Sequence, residues 1–196
     1  MKIILASNSP RRRELLSQLA SEVGFSFEVI TREVDESLDR EYPFCGVEIL
    51  AIKKGAAVSK EYPDALVISS DTLVELDGKA LGKPFDEADA ERMLSGLSGR
   101  GHNVHTGIAL HYKGALYSGV ATTEVVFRDL SADEIAEYIA SGEPMDKAGA
   151  YGIQGGAGKF VSEYRGDFDT VVGFSIALLK KLIDKACGSL SALSEE

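Results

Sequence analysis

Apolar positions along the chain alternate between short solid runs and helical stripes. Lys2–Ala6 is a compact apolar run closed by Ser-Asn-Ser-Pro, which predicts a buried strand passing into a loop. Ser9 suits an N-cap and Pro10 the first helical position. Leu15, Leu16 and Leu19 then recur at helical spacing, and Gly24 marks the stop. Phe25–Ile30 predicts a second strand, followed by the acidic loop Glu33-Val34-Asp35-Glu36, and a helix is expected over Val47–Ser59. A buried strand at Ala65–Ser69 places Asp71 near its end, and Leu73–Leu76 with Asp77-Gly78 reads as a hairpin arm. Asp86 precedes a helix from Glu87 to Leu97. Two strands, Asn103–Tyr112 and Ala115–Phe127, flank the turn Lys113-Gly114. Ser131 with Glu134 forms a capping box for a helix through Ile139, which Gly142 closes. A glycine-dense segment, Gly149–Gly158, follows, and Phe174–Ala186 is a last amphipathic helix. This order predicts one α/β domain over residues 1–188, its meandering middle forming a second lobe, with a flexible tail at 189–196.

Composition narrows the function. The chain has 196 residues and a formal charge of −10, from 21 Lys+Arg against 31 Asp+Glu. That balance argues against coating duplex DNA, where affinity comes from neutralising phosphates. There is no Trp and no long basic track for single strands, so no nucleic-acid partner is expected. The apolar runs are too short to span a bilayer and the N-terminus reads as no signal peptide, so a cytoplasmic protein without a membrane partner is expected. Two cysteines, Cys45 and Cys187, are too few for a disulfide framework or a zinc cluster. The charge is unevenly spread: residues 1–13 hold Lys2, Arg11, Arg12 and Arg13 with no acid, for +4, so the other 183 residues carry −14.

Three segments carry chemistry. In Ser7-Asn8-Ser9-Pro10-Arg11-Arg12-Arg13, cations occupy the first turn of the helix capped by Ser9, where they oppose the macrodipole at roughly 0.3–1 kcal/mol each. Guanidinium groups and helix N–H groups meeting at one place suit a phosphate; a solvated basic turn is the plainer alternative. Asp71-Thr72 follows the apolar run Leu66-Val67-Ile68, and a carboxylate at the end of a buried parallel strand is where α/β folds place ligands. A turn or cap residue fits there equally well. Lys83, between Gly82 and Pro84, is a weaker signal. In the block from Glu143 to Gly156, the glycines admit close approach of a ligand, and the Gln154 carboxamide offers the donor and acceptor needed to read a base edge. His102 and His105, three apart on a strand, point to opposite faces and suit no shared metal; no HExxH, GxSxG or Walker pattern occurs.

Together these segments resemble the Maf family of nucleotide pyrophosphatases. The matching pieces run in order: Ser7–Leu16, Val34-Asp35-Glu36-Ser37, Ser70-Asp71-Thr72, Asp77-Gly78, Gly82-Lys83-Pro84, Leu97-Ser98-Gly99-Arg100, Gly142–Gly155 and Val171-Val172-Gly173. The Asp-Lys-Ala-Gly block is the most specific. The chain departs from the usual pattern at Ser69-Ser70, at Gly166-Asp167-Phe168-Asp169-Thr170 and at Phe174-Ser175.

The resemblance implies a mixed central sheet flanked by helices, in two lobes with a cleft, similar to inosine triphosphate pyrophosphatases. It implies hydrolysis of a nucleoside triphosphate to the monophosphate and pyrophosphate with Mg²⁺ or Mn²⁺. Thr72 and the Gln154 block resemble the subgroup that prefers dTTP and UTP; the sister subgroup that prefers 7-methyl-GTP lacks the Tyr-Gly-Ile-Gln run. By position, Asp71 resembles the proton acceptor for the attacking water. Ser7, Arg11, Arg12, Lys54 and Lys83 resemble phosphate contacts, and Arg11, Thr72 and Gln154 resemble the residues that choose the base. Glu36, with Asp71, resembles a metal ligand. A homodimer is also implied. A non-catalytic nucleotide-binding regulator of cell division is an alternative of a different class.

Overall fold

The computed structural model describes residues 1–36 and 43–194, so Ser37 of the acidic segment and the last two residues of the expected tail lie outside it. β1 (Ile3–Leu5) leads into α1 (Pro10–Val23), and Gly24, at φ 88°, ends that helix. The N-cap is Ser9, whose side chain accepts from the Arg12 N–H. β2 shrinks to Glu28–Val29, both exposed, because Phe25 and Phe27 turn instead into the core beneath α1. α2 (Pro43–Ser59) starts four residues before the expected Val47.

β3 (Leu66–Leu76) is one continuous strand where the sequence suggested two separate ones. The polar run Ser69-Ser70-Asp71-Thr72 broke the apolar pattern, yet all four residues are within the sheet. β4 (Lys79–Leu81) returns across the Asp77-Gly78 turn, both of whose residues have positive φ (52° and 74°). α3 (Glu87–Leu97), capped by Asp86, precedes β5 (Gly101–Tyr112) and β6 (Ala115–Phe127). α4 (Ala132–Ala140) carries the full Ser131–Glu134 capping box. The chain from Glu143 to Phe160, which includes the glycine-dense segment, forms three short 3-10 turns, at Glu143–Asp146, Ala148–Ala150 and Gly156–Phe160. β7 (Val161–Arg165) and α5 (Phe168–Val172) had no sequence signal, the first being nearly all exposed and the second five residues long. α6 (Ile176–Cys187) follows. The segment expected to be a loose tail forms another 3-10 turn, Leu190–Leu193, with Leu193 buried against α1 and α6.

The sheet is mixed, in the order β2-β1-β3-β5-β6-β7, with β4 also on β3. β3 pairs with β5 along one edge, from Val67 to Glu75. Its other edge is shared: β1 runs parallel to Leu66–Ile68, and β4 antiparallel to Val74–Leu76. Among the described residues, Ser69–Leu73 therefore have no strand partner on that side. Asp71 does not end a strand; it sits mid-strand, just past the point where the parallel partner stops.

Strand alternation gives the two faces different cores. On one face Leu66 and Ile68 join Ile108 and Leu110 in a cluster under α1 and α6, and further along the same face Val74 and Val104 join a second cluster with α3, α4 and the aromatic rings of Phe127, Tyr151 and Phe160. On the opposite face Val67 belongs to a third, with Ile4 and Val58 of α2. On the α2 face a Cβ at Gly107 would come within 2.6 Å of the Val47 carbonyl, so glycine there lets the helix lie on the sheet.

Candidate active site

The polar residues of the unpaired stretch divide by face. Ser69 and Asp71 point toward α2. Ser69 donates to the Ala51 carbonyl (2.7 Å), and Lys54 Nζ, one helical turn on, reaches Asp71 Oδ1 at 2.6 Å. The same ammonium meets Glu36 Oε1 at 2.9 Å, so two carboxylates converge on one cation. Ser70 and Thr72 point toward α1 and α5. Both hydroxyls donate to the Gly173 carbonyl, at 3.1 and 3.3 Å. That carbonyl is exposed to them because Gly173, at φ 110°, ends α5 in a left-handed turn.

Arg12 takes the place of the missing strand. Its Nε donates to Gly173 O (2.9 Å), Nη1 to Ser70 O (2.7 Å) and Ser7 Oγ (3.2 Å), and Nη2 to Thr72 Oγ1 (3.1 Å). Four of the five N–H groups of a guanidinium are thus committed to protein acceptors. Burial lowers the Arg12 pKa from its ordinary value, opposed by the negative charge of Asp71. The Arg11 side chain, one position back, makes no protein hydrogen bond among the described residues and lines open space.

That space is a cleft of about 1310 Å³ along the unpaired edge of β3. It brings together every residue expected at the site: Ser7, Arg11, Arg12, Glu36, Lys54, Asp71, Thr72, Lys83 and Gln154. Asp71 is buried and Thr72 half-buried, while Lys83 and Gln154 stand exposed on the rim. The Lys83 loop is tied to the glycine block by the Gly149 N–H, which donates to Gly82 O at 3.0 Å. Of the basic N-terminal cluster, Lys2 pairs with Glu28 and Arg13 does not line the cleft. Arg32 and Lys147 line it instead, from segments that net charge did not single out. Glu143 and Asp146 also line it, and only their place in the Glu143–Gly156 block could have drawn attention to them.

A cleft with this pattern along a sheet edge invites comparison with known proteins. The family described as Maf-like protein matches residues 2–186. This chain belongs to the Maf family. Among curated relatives, the dTTP/UTP pyrophosphatase of Shewanella denitrificans is 48% identical over 93% of this chain and 95% of its own length. Those of Thermococcus gammatolerans and Moorella thermoacetica, also called dTTP/UTP pyrophosphatases, are 47% and 46% identical, covering 92% and 93% of this chain and 94% and 93% of theirs. Among solved structures, a Mycobacterium abscessus nucleoside-triphosphatase / dITP/XTP pyrophosphatase aligns with a TM-score of 0.43 at 19% identity, over 67% of this chain and 77% of that one. That likeness is too slight to carry an argument. Asp146, Lys147 and Ala148 of the Asp-Lys-Ala-Gly block line the cleft. Among the described residues of this Maf-family chain, no helix is long and apolar enough to cross a membrane.

Proposed function

We propose that this Maf-family chain hydrolyses dTTP and UTP to the monophosphate and pyrophosphate. The observation that carries the reading is one cleft that holds both charged groups and a carboxamide. The same cleft is lined by Asp71, held by Lys54, by the cations Arg11 and Lys83, and by the exposed carboxamide of Gln154 with its glycine-rich neighbours. The charged groups suit a triphosphate and the carboxamide suits a base. The relatives named dTTP/UTP pyrophosphatase support the same substrate class.

Phosphoryl chemistry asks the protein mainly for placement and charge. Arg11, Lys54 and Lys83, with the Ser7 hydroxyl, receive phosphate oxygens. Arg12 adds its charge to the field while bracing β3. Asp71 orients a water for attack on the α-phosphorus and accepts its proton, and pyrophosphate leaves. Thr72, Arg11 and Gln154 select the base.

A divalent cation fits the donor set. Glu36 and Asp71 already share one cation position through Lys54, and carboxylate oxygens suit Mg²⁺ or Mn²⁺. No cluster of three or more His, Cys, Asp or Glu occurs among the described residues, so phosphate oxygens and water would complete the shell. When bound, the ion would neutralise charge on the pyrophosphate group. A homodimer in a reducing cytosol completes the proposal.

Asp71→Asn keeps the shape of the side chain and removes the proton acceptor. We expect kcat for UTP, measured as pyrophosphate released, to fall by about 10²–10⁴-fold with KM within a few-fold. An unchanged kcat would remove Asp71 from the role of base. A purely regulatory nucleotide binder would release no pyrophosphate from any triphosphate, 7-methyl-GTP included.

A further inference from the structure

The segment that carries Gln154 is fastened at both ends by one side-chain pair. The Tyr138 hydroxyl, from α4, donates to Glu143 Oε1 (3.0 Å) and accepts from the Gly152 N–H (3.2 Å). The other carboxylate oxygen, Glu143 Oε2, accepts from the Gly156 N–H (3.0 Å). The chain leaves the pair at Gly152, bends through a Gly155 N–H to Gly152 O bond (3.0 Å), and returns at Gly156. Gln154 stands exposed at the middle of this bend.

The surroundings are built to the same plan. A Cβ at Gly155 would overlap the Glu143 carboxylate, and one at Gly152 would come within 2.7 Å of Lys147 Cε, so the glycines let the backbone wrap the clamp. Lys147 Nζ donates to the Glu143 carbonyl (2.6 Å) and pairs with Asp146 (2.7 Å), which fixes the base of the clamp. The Tyr138 ring packs edge-on against Phe160, with centroids 5.2 Å apart. Burial raises the Tyr138 pKa well above that of a free phenol, so its hydroxyl remains a donor.

We propose that Glu143, acting through Tyr138 and the Gly152 and Gly156 amides, is the positioning residue for base selection. The inference rests on the reading of Gln154 as the base contact. A carboxamide on a flexible side chain can distinguish uracil from cytosine only while its backbone is held in place; a free loop lets it re-aim. Glu143 has both oxygens engaged by the protein and serves the site without touching the reacting atoms.

The test is the ratio of kcat/KM for UTP to that for CTP. Glu143→Ala should lower the ratio at least about fivefold, mainly through the KM for UTP, with kcat within about twofold. Glu143→Gln, which keeps one acceptor oxygen, should restore part of the ratio. The double variant Glu143→Ala/Gln154→Ala should match Gln154→Ala alone, since both act through one contact. Should Glu143→Ala fail to fold, Tyr138→Phe keeps the ring packing, removes the Gly152 link and should shift the ratio the same way. An equal fall for both nucleotides, with the ratio unmoved where Gln154→Ala moves it, would overturn the role of Glu143. A ratio unmoved by Gln154→Ala would instead overturn the base-contact reading beneath it.

Discussion

An arginine in the first turn of a helix works against the macrodipole, and α1 places three there in succession. Arg12 is compensated by three carbonyl and hydroxyl partners on β3 and α5 that no cation of different shape could reach at once. Arg12→Lys keeps the charge and loses the planar fork. It should lower the melting temperature by several degrees and kcat/KM by about tenfold or more, as Thr72 and the Ser70 carbonyl lose their brace. Wild-type values of both would show that the brace does no work. The sequence could flag the pair Arg11-Arg12 as costly in a helix, but not divide their roles. Successive helical residues diverge by about 100°, and which direction meets β3 depends on a packing that only the fold supplies. Lys54 and Glu36 had no local signal at all. Their place in the site was legible only through likeness to a family, because a lysine in mid-helix and a glutamate in an acidic loop are ordinary surface residues.

Elements with a strong local cause were legible. The Ser9, Asp86 and Ser131 caps start helices where the sequence placed them, and Asp77-Gly78 and Lys113-Gly114 turn hairpins. β3 was misread because its central residues are polar for the sake of the site, and a periodicity argument takes a polar run for an ending. The 190–193 turn was missed because one buried leucine, Leu193, makes no pattern. The α2–sheet contact offers a test at this scale. Gly107 is paired with Asp71 across the β3–β5 ladder, on the face where α2 carries Lys54. Gly107→Ala would push a methyl group against the Val47 carbonyl, a backbone atom that cannot swing away. We expect a loss of about 1–3 kcal/mol in chemical denaturation, together with reduced turnover as Lys54 lifts from Asp71. Unaltered stability would mean that α2 can shift freely on the sheet.

For the molecule as a whole, acid should act through the second core. His102 is buried there between the rings of Phe127 and Tyr151, its Nε2 2.9 Å from the Tyr151 hydroxyl, and burial lowers its pKa to about 4. The unfolded chain, with histidine near its ordinary 6.5, binds the extra proton more readily between those two values. Stability from the neutral ring is therefore complete above pH 6.5 and is lost as pH falls toward 4, by about 3 kcal/mol in all. Melting temperatures of the protein should drop across that window more steeply than those of His102→Gln; parallel curves would clear His102 of the effect. The two large cores lie on the same face of the sheet, at opposite ends of the β3–β5 ladder, and between them runs a belt of polar groups: Ser70, Thr72, Thr106, the Arg12 fork and the Gly173 carbonyl. Apolar contact bridges that belt at Ile153, which packs against both cores, and at Val171 and Val172, which join one core each; elsewhere hydrogen bonds span it. On the proposed function, a nucleotide seated beside Thr72 would be mortar as well as cargo. The free energy that holds it in place would also tighten the joint between the two halves, and releasing the product would loosen it.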